Sequence, residues 1–303
     1  MHLIDSLSEF HNLLSLPPPL HPLVSVVKVS ELHAVNSDVW QKFATDFYTI
    51  SLKFNIRSKL KYGQNYYDFD RGTMTFIAPR QIQSVEVAET NNFNGTIGTG
   101  YALMFHPDFL AKHPLAVNIK NYGFFSYDLS EALHLSEKER SNMVAIFDKV
   151  EEEYQFIDRH TQGVILSQID LLLNYSDRFY ERQFITRKAK NSDLLTRTEQ
   201  LVNDYFDNEI GLQQGILTVE YLANKLHLSP HYFSDMLRSS SGQNAQQHIH
   251  NRLIEKAKEY LTTTNLSVSE IAYHLGFERS QSFNKLFKKK TEMSPLEFRR
   301  SFD

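Results

Sequence analysis

Two groups of polar and basic side chains in the C-terminal third of the chain have the chemistry needed to read DNA. They carry hydroxyl, amide, imidazole, carboxylate and basic groups, which hydrogen-bond to base edges or pair with phosphates. One group follows Ser229 and the other follows Arg279. The predicted DNA-contacting residues are His231, Tyr232, Ser234, Asp235, Arg238, Ser280, Gln281, Asn284, Lys285, Lys288 and Lys289.

The apolar residues around these two groups form one pattern that occurs twice. The first copy consists of Val219, Leu222, Ala223, Leu226, Leu228, Phe233 and Leu237. The second consists of Val268, Ile271, Ala272, Leu275, Phe277, Phe283 and Phe287. Spacings of three and four residues place each copy on inward helix faces, so the pattern predicts two helix-turn-helix units. The repeat favours DNA binding more strongly than one copy would, because a single match is often only a helical hairpin.

Residues with strong positional preferences mark the ends of these helices. Thr218 is suited to cap the first helix, and Ser267 with Glu270 three residues later forms a capping box in the second copy. Gly276 suits a turn position with positive φ, where the first copy has His227.

A long amphipathic helix is predicted between the copies, from Asn244 to Thr263. Gly242 ends the helix before it, and Pro230 suits that helix's first turn. Twenty residues at ~1.5 Å each span ~30 Å. Successive major grooves on one face of B-DNA lie ~34 Å apart, so this spacer suits two helices in consecutive grooves.

Several blocks of this region resemble the DNA-binding domain of AraC/XylS-type transcription regulators. They are Ser229–Leu237, Ile254–Leu261, Ser267–Glu278 and Phe283–Arg299. The I-A…L-G-F and F-K-K-x-T-x-x-S-P blocks lie in the family's order and spacing. Glu292 departs from the pattern, because the family usually has Gly at this place. The resemblance covers roughly the last third of the chain and implies a cupin-like effector and dimerisation domain before it.

Asp235 stands where many members of the family have Arg, and two roles are open for it. A carboxylate in the major groove can accept a hydrogen bond from cytosine N4, which would give base preference. Alternatively, Asp235 only holds Arg238 or His231 in place.

The charge distribution divides the chain. The net charge of the whole chain is −4. Residues Leu217 to Asp303 contain 12 Lys and Arg and 9 Asp and Glu, so this part is positively charged. The preceding residues contain 20 Lys and Arg and 27 Asp and Glu, so that part is negatively charged. Basic residues gather near the second DNA-reading helix, where phosphates would lie; they are Lys285, Lys288, Lys289, Lys290, Arg299 and Arg300. A solvated helix face is the alternative for such a run.

The N-terminal part has the short apolar runs of a β-rich domain. These are Val24–Val29, Phe47–Phe54, Lys59–Tyr62, Thr73–Ile77, Val85–Val87 and Gly100–Phe105. Turn signals at Tyr62-Gly63, Arg71-Gly72 and Asn94-Gly95 separate some of them. Many short strands without intervening helices predict a small barrel or sandwich. Gly72–Pro79 and Phe105–Leu110 also resemble the cupin-like domain.

Helical periodicity replaces this pattern after Phe125. Ser136 with Glu139 forms a capping box, and two amphipathic helices are expected between about 134 and 184. They either form a dimer seam or pack on the barrel. We predict an effector and dimerisation domain over 1–185, a linker over 186–193, and a DNA-binding domain over 194–303 that opens with a helix from Leu194 to Phe206.

The sequence has no recognisable motif for catalysis or for metal binding. A cupin metal site needs an H-x-H pattern, but His106 is the one histidine between residues 50 and 110. His248 and His250 are two apart on a predicted helix, and hence on different faces. Gly95-x-x-Gly98-x-Gly100 lacks the strand-loop-helix order of a phosphate loop. We expect no enzyme, no catalytic residue, no metal and no cofactor.

The expected fold is multidomain α+β, with an N-terminal cupin-like β-barrel and packed helices, and an all-α C-terminal domain with two helix-turn-helix motifs. The expected function is sequence-specific transcription regulation under a small-molecule effector, whose binding residues the sequence does not assign. The alternative is a constitutive dimeric or architectural DNA-binding protein whose barrel only mediates oligomerisation. Candidate partners are double-stranded DNA, an effector, RNA polymerase and a second copy of the chain. The chain has no Cys, no apolar run of about 18–20 residues and no basic N-terminal segment, so we expect a cytoplasmic protein and no membrane contact.

Overall fold

The structure is a computed structural model that describes residues 1–32, 38–54, 61–62, 65–66, 72–84, 98–186 and 188–302. The chain divides into two compact units, Met1–Gln183 and Phe184–Asp303. Both strands and helices are present, with the strands in the first unit. The functional division into an effector domain, a linker and a DNA-binding domain stays a prediction.

The described strands of the first unit are short. They are β1 (His2–Ile4), β2 (Val24–Lys28), β3 (Phe43–Thr45), β4 (Tyr48–Phe54), β5 (Lys61–Tyr62), β6 (Asn65–Tyr66), β7 (Thr73–Ile77), β8 (Thr99–Phe105) and β9 (Leu133–His134). The predicted runs at β2, β4, β7 and β8 are therefore strands. The predicted strand Val85–Val87 and the turn Asn94-Gly95 lie outside the described residues, as do Gly63 and Arg71 of the other two turns.

Five strands form the central sheet, in the order β2-β8-β4-β7-β9, and β1 pairs with β3 in parallel. All neighbours in the five-stranded sheet are antiparallel. Within the described residues β2 and β9 are its two edges, and the strands form no closed barrel. The described part of the first unit is thus a sheet region with packed helices.

The two faces of this sheet have different coverings. Because side chains alternate along a strand, Tyr101 and Phe76 lie on one face, and Ala102 and Met104 lie on the other. The first face packs on helices and short turns: Tyr101 stacks on Phe147 at 5.3 Å. Part of the second face packs against a cluster built by the N-terminal segment, which contains Ile4, Leu7, Leu16, Trp40, Phe43 and Phe47.

The helices of the first unit are α1 (Leu7–Leu13), α2 (Leu115–Asn118), α3 (Glu137–Gln155) and α4 (Thr161–Thr186), whose last residues extend into the second unit. The predicted capping box at Ser136 and Glu139 starts α3. The apolar stripe of α3 is buried, as expected from its spacing: Met143, Ile146, Phe147, Val150 and Tyr154.

The second unit is helical throughout its regular structure. Its helices are α5 (Lys188–Asp207), α6 (Gly211–Gln214), α7 (Val219–Leu226), α8 (Pro230–Ser241), α9 (Ala245–Thr263), α10 (Val268–His274), α11 (Ser280–Thr291) and α12 (Pro295–Arg300). The prediction that the leading helix starts at Leu194 is wrong, because α5 begins six residues earlier, at Lys188. The polar composition of 188–193 suggested a linker, but Lys and Ala are good helix formers.

Candidate nucleic-acid interface

The first helix-turn-helix copy consists of α7, a tight turn and α8. The Thr218 hydroxyl caps α7 by accepting from the Tyr221 N–H at 3.1 Å, as predicted. His227 ends α7 in the left-handed region, with φ 56° and ψ 45°. Ser229 then caps α8, whose first residue is Pro230, and Gly242 ends it with φ 75°. The predicted boundaries of this copy are confirmed.

The second copy consists of α10, its turn and α11. The predicted capping box of Ser267 and Glu270 starts α10. Gly276 occupies the turn with φ 88°, at the place that His227 holds in the first copy. Glu292 ends α11 with φ 65°, and so adopts the left-handed conformation that Gly commonly supplies at the end of a helix.

Helix α9 connects the two copies and contacts α7, α8, α10 and α12. Its buried residues lie on one face at helical spacing: Ala245, Ile249, Leu253, Ile254, Ala257 and Leu261. The 19 residues of α9 span ~28 Å at ~1.5 Å per residue. The connector is therefore a packed core element of the unit rather than a free spacer.

The repeat continues into a third helix of each copy. Asn244 with Gln247 forms a capping box at the start of α9, and Ser294 with Glu297 forms one at the start of α12. Asn244 and Ser294 are 50 residues apart, the offset of the preceding helices. The signal was readable in S-P-L-E, but it lay beyond the apolar repeat.

On α8, the candidate DNA-contacting residues separate into surface and core. His231 and Arg238 are exposed, and Ser234 and Asp235 are half-buried. Tyr232 is 7% exposed, and its ring centroid lies 5.1 Å from that of Phe184. The structure thus places Tyr232 in the core of the second unit, apart from the other candidates, because the end of α4 packs there.

Asp235 and Arg238 form an ion pair on the surface of α8. The two residues are three positions apart, so their side chains lie on one helix face. This geometry supports the role of Asp235 in holding Arg238.

The candidates on α11 form a continuous exposed face. Phe283 and Phe287 are fully buried, and this turns Gln281, Asn284 and Lys285 outward. Lys288 and Lys289 are also exposed, and Ser280 at the start of the helix is half-buried.

The neighbouring basic residues have structural bonds instead. Lys290 donates to the Asn251 side chain on α9 at 3.0 Å. Arg299 donates to the backbone carbonyls of Leu261 at 3.0 Å and Leu266 at 2.7 Å. Their positions in the sequence group Lys290 and Arg299 with the exposed lysines of α11, but their hydrogen bonds to other parts of the unit separate them.

The lysines also affect a nearby histidine. Burial lowers the pKa of His250, and repulsion from Lys290 and Lys289 lowers this pKa further. A neutral imidazole is therefore favoured beside the basic face at pH 7.

The described residues contain no group of His, Cys, Asp and Glu able to hold a metal ion. None of the described helices combines the length and apolar character needed to cross a bilayer.

Comparisons with known proteins agree with this geometry. Residues 222–301 match the family model described as a helix-turn-helix domain. The uncharacterized HTH-type transcriptional regulator YijO of Escherichia coli (strain K12) is 32% identical over 103 residues, which are 34% of this chain and 35% of that protein. The HTH-type transcriptional activator RhaS of Escherichia coli O157:H7 (strain EC4115 / EHEC) is 25% identical over 161 residues, which are 53% of each chain.

Among solved structures, the C-terminal domain of AraT, a response regulator from Geobacillus stearothermophilus, is 30% identical. The match covers 36% of this chain and 84% of that chain, with a TM-score of 0.32. The chain spans about a third to about half of the length of the two curated relatives. Residues 222–301 of the C-terminal unit thus match a helix-turn-helix domain.

Proposed function

We propose that this chain is a sequence-specific DNA-binding transcription regulator under the control of a small-molecule effector. The observation that carries the proposal is the pair of helix-turn-helix copies fixed to one buried connector, each with a polar outward face on its second helix. Relatives named as transcriptional regulators support it. A helix with such a face fits the major groove of B-DNA.

In this mechanism α8 and α11 enter consecutive major grooves on one face of the duplex. The exposed Lys288 and Lys289 neutralise phosphates, which gives affinity without sequence preference. Gln281, Asn284 and Lys285 reach base edges, since amide and ammonium groups match the donor and acceptor pattern of the groove. In the first copy, His231 and Ser234 take this part.

The first unit would bind the effector and shift the population of DNA-competent arrangements. We propose that it is cupin-like and also mediates a homodimer, through the sheet or through α3 and α4. RNA polymerase would then be a partner at the promoter. A protein that acts on the genome of a bacterium would work in the cytoplasm.

Selection of bound sites from random DNA with the full chain tests the DNA-binding role. We expect two short preferred half-sites about one helical turn, ~10 base pairs, apart. A footprint of the selected sites would then cover two successive major grooves. Protection of a single groove, or no enrichment at all, contradicts the proposal.

The rival is a constitutive dimeric or architectural protein, and it differs in its response to small molecules. Trp40 is 6% exposed within the cluster on the second face of the sheet, so its fluorescence reports on that region. A metabolite panel followed by Trp40 fluorescence and thermal shift should identify a stabilising compound. No response to any compound, together with unchanged expression of target genes, favours the rival.

A further inference from the structure

The face of the central sheet that holds Ala102 and Met104 also contains a group of small and polar residues around Lys53, which we call the Lys53 face. Register places Lys53 directly opposite Thr73 on β7 and opposite Gly100 on β8. Two positions along, Ser51 lies opposite Thr75 and Ala102. The other face carries larger side chains at the neighbouring positions: Ile50, Leu52, Met74, Phe76, Tyr101 and Leu103. The Lys53 face is therefore built differently from a packed hydrophobic core.

Lys53 has no carboxylate partner within the described part of the chain. Its side chain is partly buried, and burial lowers the pKa of its ammonium group. Lys28, on the opposite face, shows the usual solution: its Nζ lies 2.7 Å from the Glu151 carboxylate, and this bond raises its pKa. Removing a charge from water without a partner costs free energy, so Lys53 lacks the compensation that Lys28 has.

A second donor next to Lys53 is also unpartnered. The Thr73 residue is 2% exposed, and its Oγ1 has no hydrogen-bond partner among the described residues. Ser25 on the same face is fully buried too, but its hydroxyl lies 2.8 Å from Nε2 of His11. Buried polar groups are normally satisfied, so the unpartnered hydroxyl at Thr73 calls for an explanation.

Trp40 adds a third group of the same kind. Its Nε1 is buried without a partner in the described structure, within the cluster that contains Ala102. An indole N–H and an ammonium can only donate, and a threonine hydroxyl can donate. An acceptor can therefore satisfy both the Lys53 ammonium and the Thr73 hydroxyl, and the ammonium favours a negatively charged one.

Gly100 has a separate reason to be a glycine. Its φ is 127°, and an added Cβ would lie 1.9 Å from the Leu52 carbonyl oxygen. The backbone thus requires glycine at this point, and as a result no side chain stands beside Lys53 on the β8 side.

We propose that the Lys53 face binds a small monocarboxylate, whose oxygens accept hydrogen bonds from the Lys53 ammonium and the Thr73 hydroxyl. This rests on the proposed function, because the carboxylate would be the effector. A monoanion matches the single positive charge of Lys53, and a charge-assisted hydrogen bond is roughly twice as strong as a neutral one. The bound carboxylate compensates the desolvated ammonium.

The test uses the full chain with sodium acetate, butyrate and benzoate, each compared with its neutral amide at constant ionic strength. At about a hundredfold excess over Kd, we expect at least one carboxylate to raise Tm by about 5 °C or more. The matching amide should have little effect. Equal stabilisation by acid and amide, or none by any of the three acids, overturns the proposal.

Two variants and a matched control assign the effect to this face. Lys53→Met should weaken carboxylate binding at least tenfold and raise Tm without ligand, because an unpaired buried charge is removed. Thr73→Val should weaken binding about fivefold through one lost hydrogen bond. Lys149→Met, an exposed change on α3, should leave binding unchanged.

A ligand-free Tm that falls in Lys53→Met overturns the proposal, since it would mean that the lysine has a structural partner. Full carboxylate binding in that variant also overturns it. DNA binding of the same full-length proteins is measured separately with the selected sites. If the unmodified chain binds DNA but does not respond to any carboxylate, this site is rejected and the proposed function stands. If the unmodified chain does not bind DNA, the proposed function is rejected.

Discussion

Both helix-turn-helix copies have a left-handed backbone conformation at the turn and at the end of the second helix. One copy has glycine at the position where the other has a residue with a side chain. At the turn, the first copy has His227 and the second has Gly276. At the end of the second helix, the first copy has Gly242 and the second has Glu292. A left-handed conformation costs a residue with a Cβ roughly 1–2 kcal/mol, so each copy bears this cost once, at a different place.

The two glycines are present for different reasons. An added Cβ at Gly242 would meet nothing within 4 Å. At Gly276 it would lie 2.0 Å from the Gly215 carbonyl oxygen and 2.7 Å from the Ile216 nitrogen. Glycine at position 242 is thus favoured only by the positive φ. Glycine at position 276 is favoured by its positive φ and also because it leaves room for the segment after α6. A repeat in sequence therefore does not make the two turns interchangeable.

Gly276→Ala should produce the largest effect of any change that probes this difference. Overpacking against backbone and the left-handed φ together should destabilise the protein by about 3 kcal/mol or more. The measurement is urea unfolding of the full chain, followed by helical circular dichroism. Gly242→Ala is the matched control and should cost only about 1 kcal/mol. Equal losses in the two variants would contradict the close approach at Gly276.

The copies also differ in charge, and this predicts unequal salt dependence. In the first copy Arg238 is paired with Asp235, but Lys288 and Lys289 of the second are exposed. The double change Lys288→Ala, Lys289→Ala should lower the slope of log affinity against log salt by about 1.8, or about 0.9 per phosphate contact. Arg238→Ala should lower it less.

Binding titrations at several salt concentrations measure these slopes, with Lys120→Ala in the first unit as a control. Affinity should fall similarly for all DNA sequences. An unchanged slope in the double variant would identify the two lysines as a solvated helix face.

Asp235→Ala tests whether the ion pair in the first copy limits the contribution of Arg238 to DNA binding. The change removes a negative charge near DNA and releases Arg238 from its ion pair. We expect affinity for all sequences to rise about two- to fivefold, the range of an exposed ion pair. Binding to each base pair at every position of the first half-site is the measurement. A base preference lost at one position would instead support direct readout by Asp235.

Glu292→Gly should give the smallest effect. Glycine removes the strain that a Cβ causes at a left-handed φ, but it loses more backbone entropy on folding. The first effect is slightly larger, so the free energy of unfolding should rise by about 0.5 kcal/mol. Glu292→Ala is the control, since Ala has the same φ restriction and should change little. His227→Gly should behave like Glu292→Gly. A loss of stability in both glycine variants would mean that these side chains make contacts that offset their strain.

Local signals explain why much of the second unit was predictable. The caps at Thr218 and Ser267 act within three residues, and the inward positions Phe233 and Phe287 follow from helix period alone. The repeat aligned His227 with Gly276, and the structure shows a left-handed backbone at both positions. Short-range chemistry and an internal comparison were sufficient for these features.

Features that depend on distant partners were not predictable in the same way. Tyr232 is buried by Phe184, which lies 48 residues earlier, and Lys290 is held by Asn251 on another helix. The strands at β4 and β7 were predicted, but their register, which brings Lys53 beside Thr73, depends on pairing between segments. The sequence indicated a barrel, and the described strands show an open order instead.

The close approach of Gly276 to Gly215 has a consequence for the order of folding. The two residues are 61 positions apart, and the Tyr205 hydroxyl holds the Gly215 carbonyl at 2.8 Å. The helices of each copy meet over short sequence distances, but this contact must close a long chain segment, which slows its formation. We expect the first copy to assemble from its own neighbours, and the second to reach its native turn late, when the segment after α6 docks against Gly276.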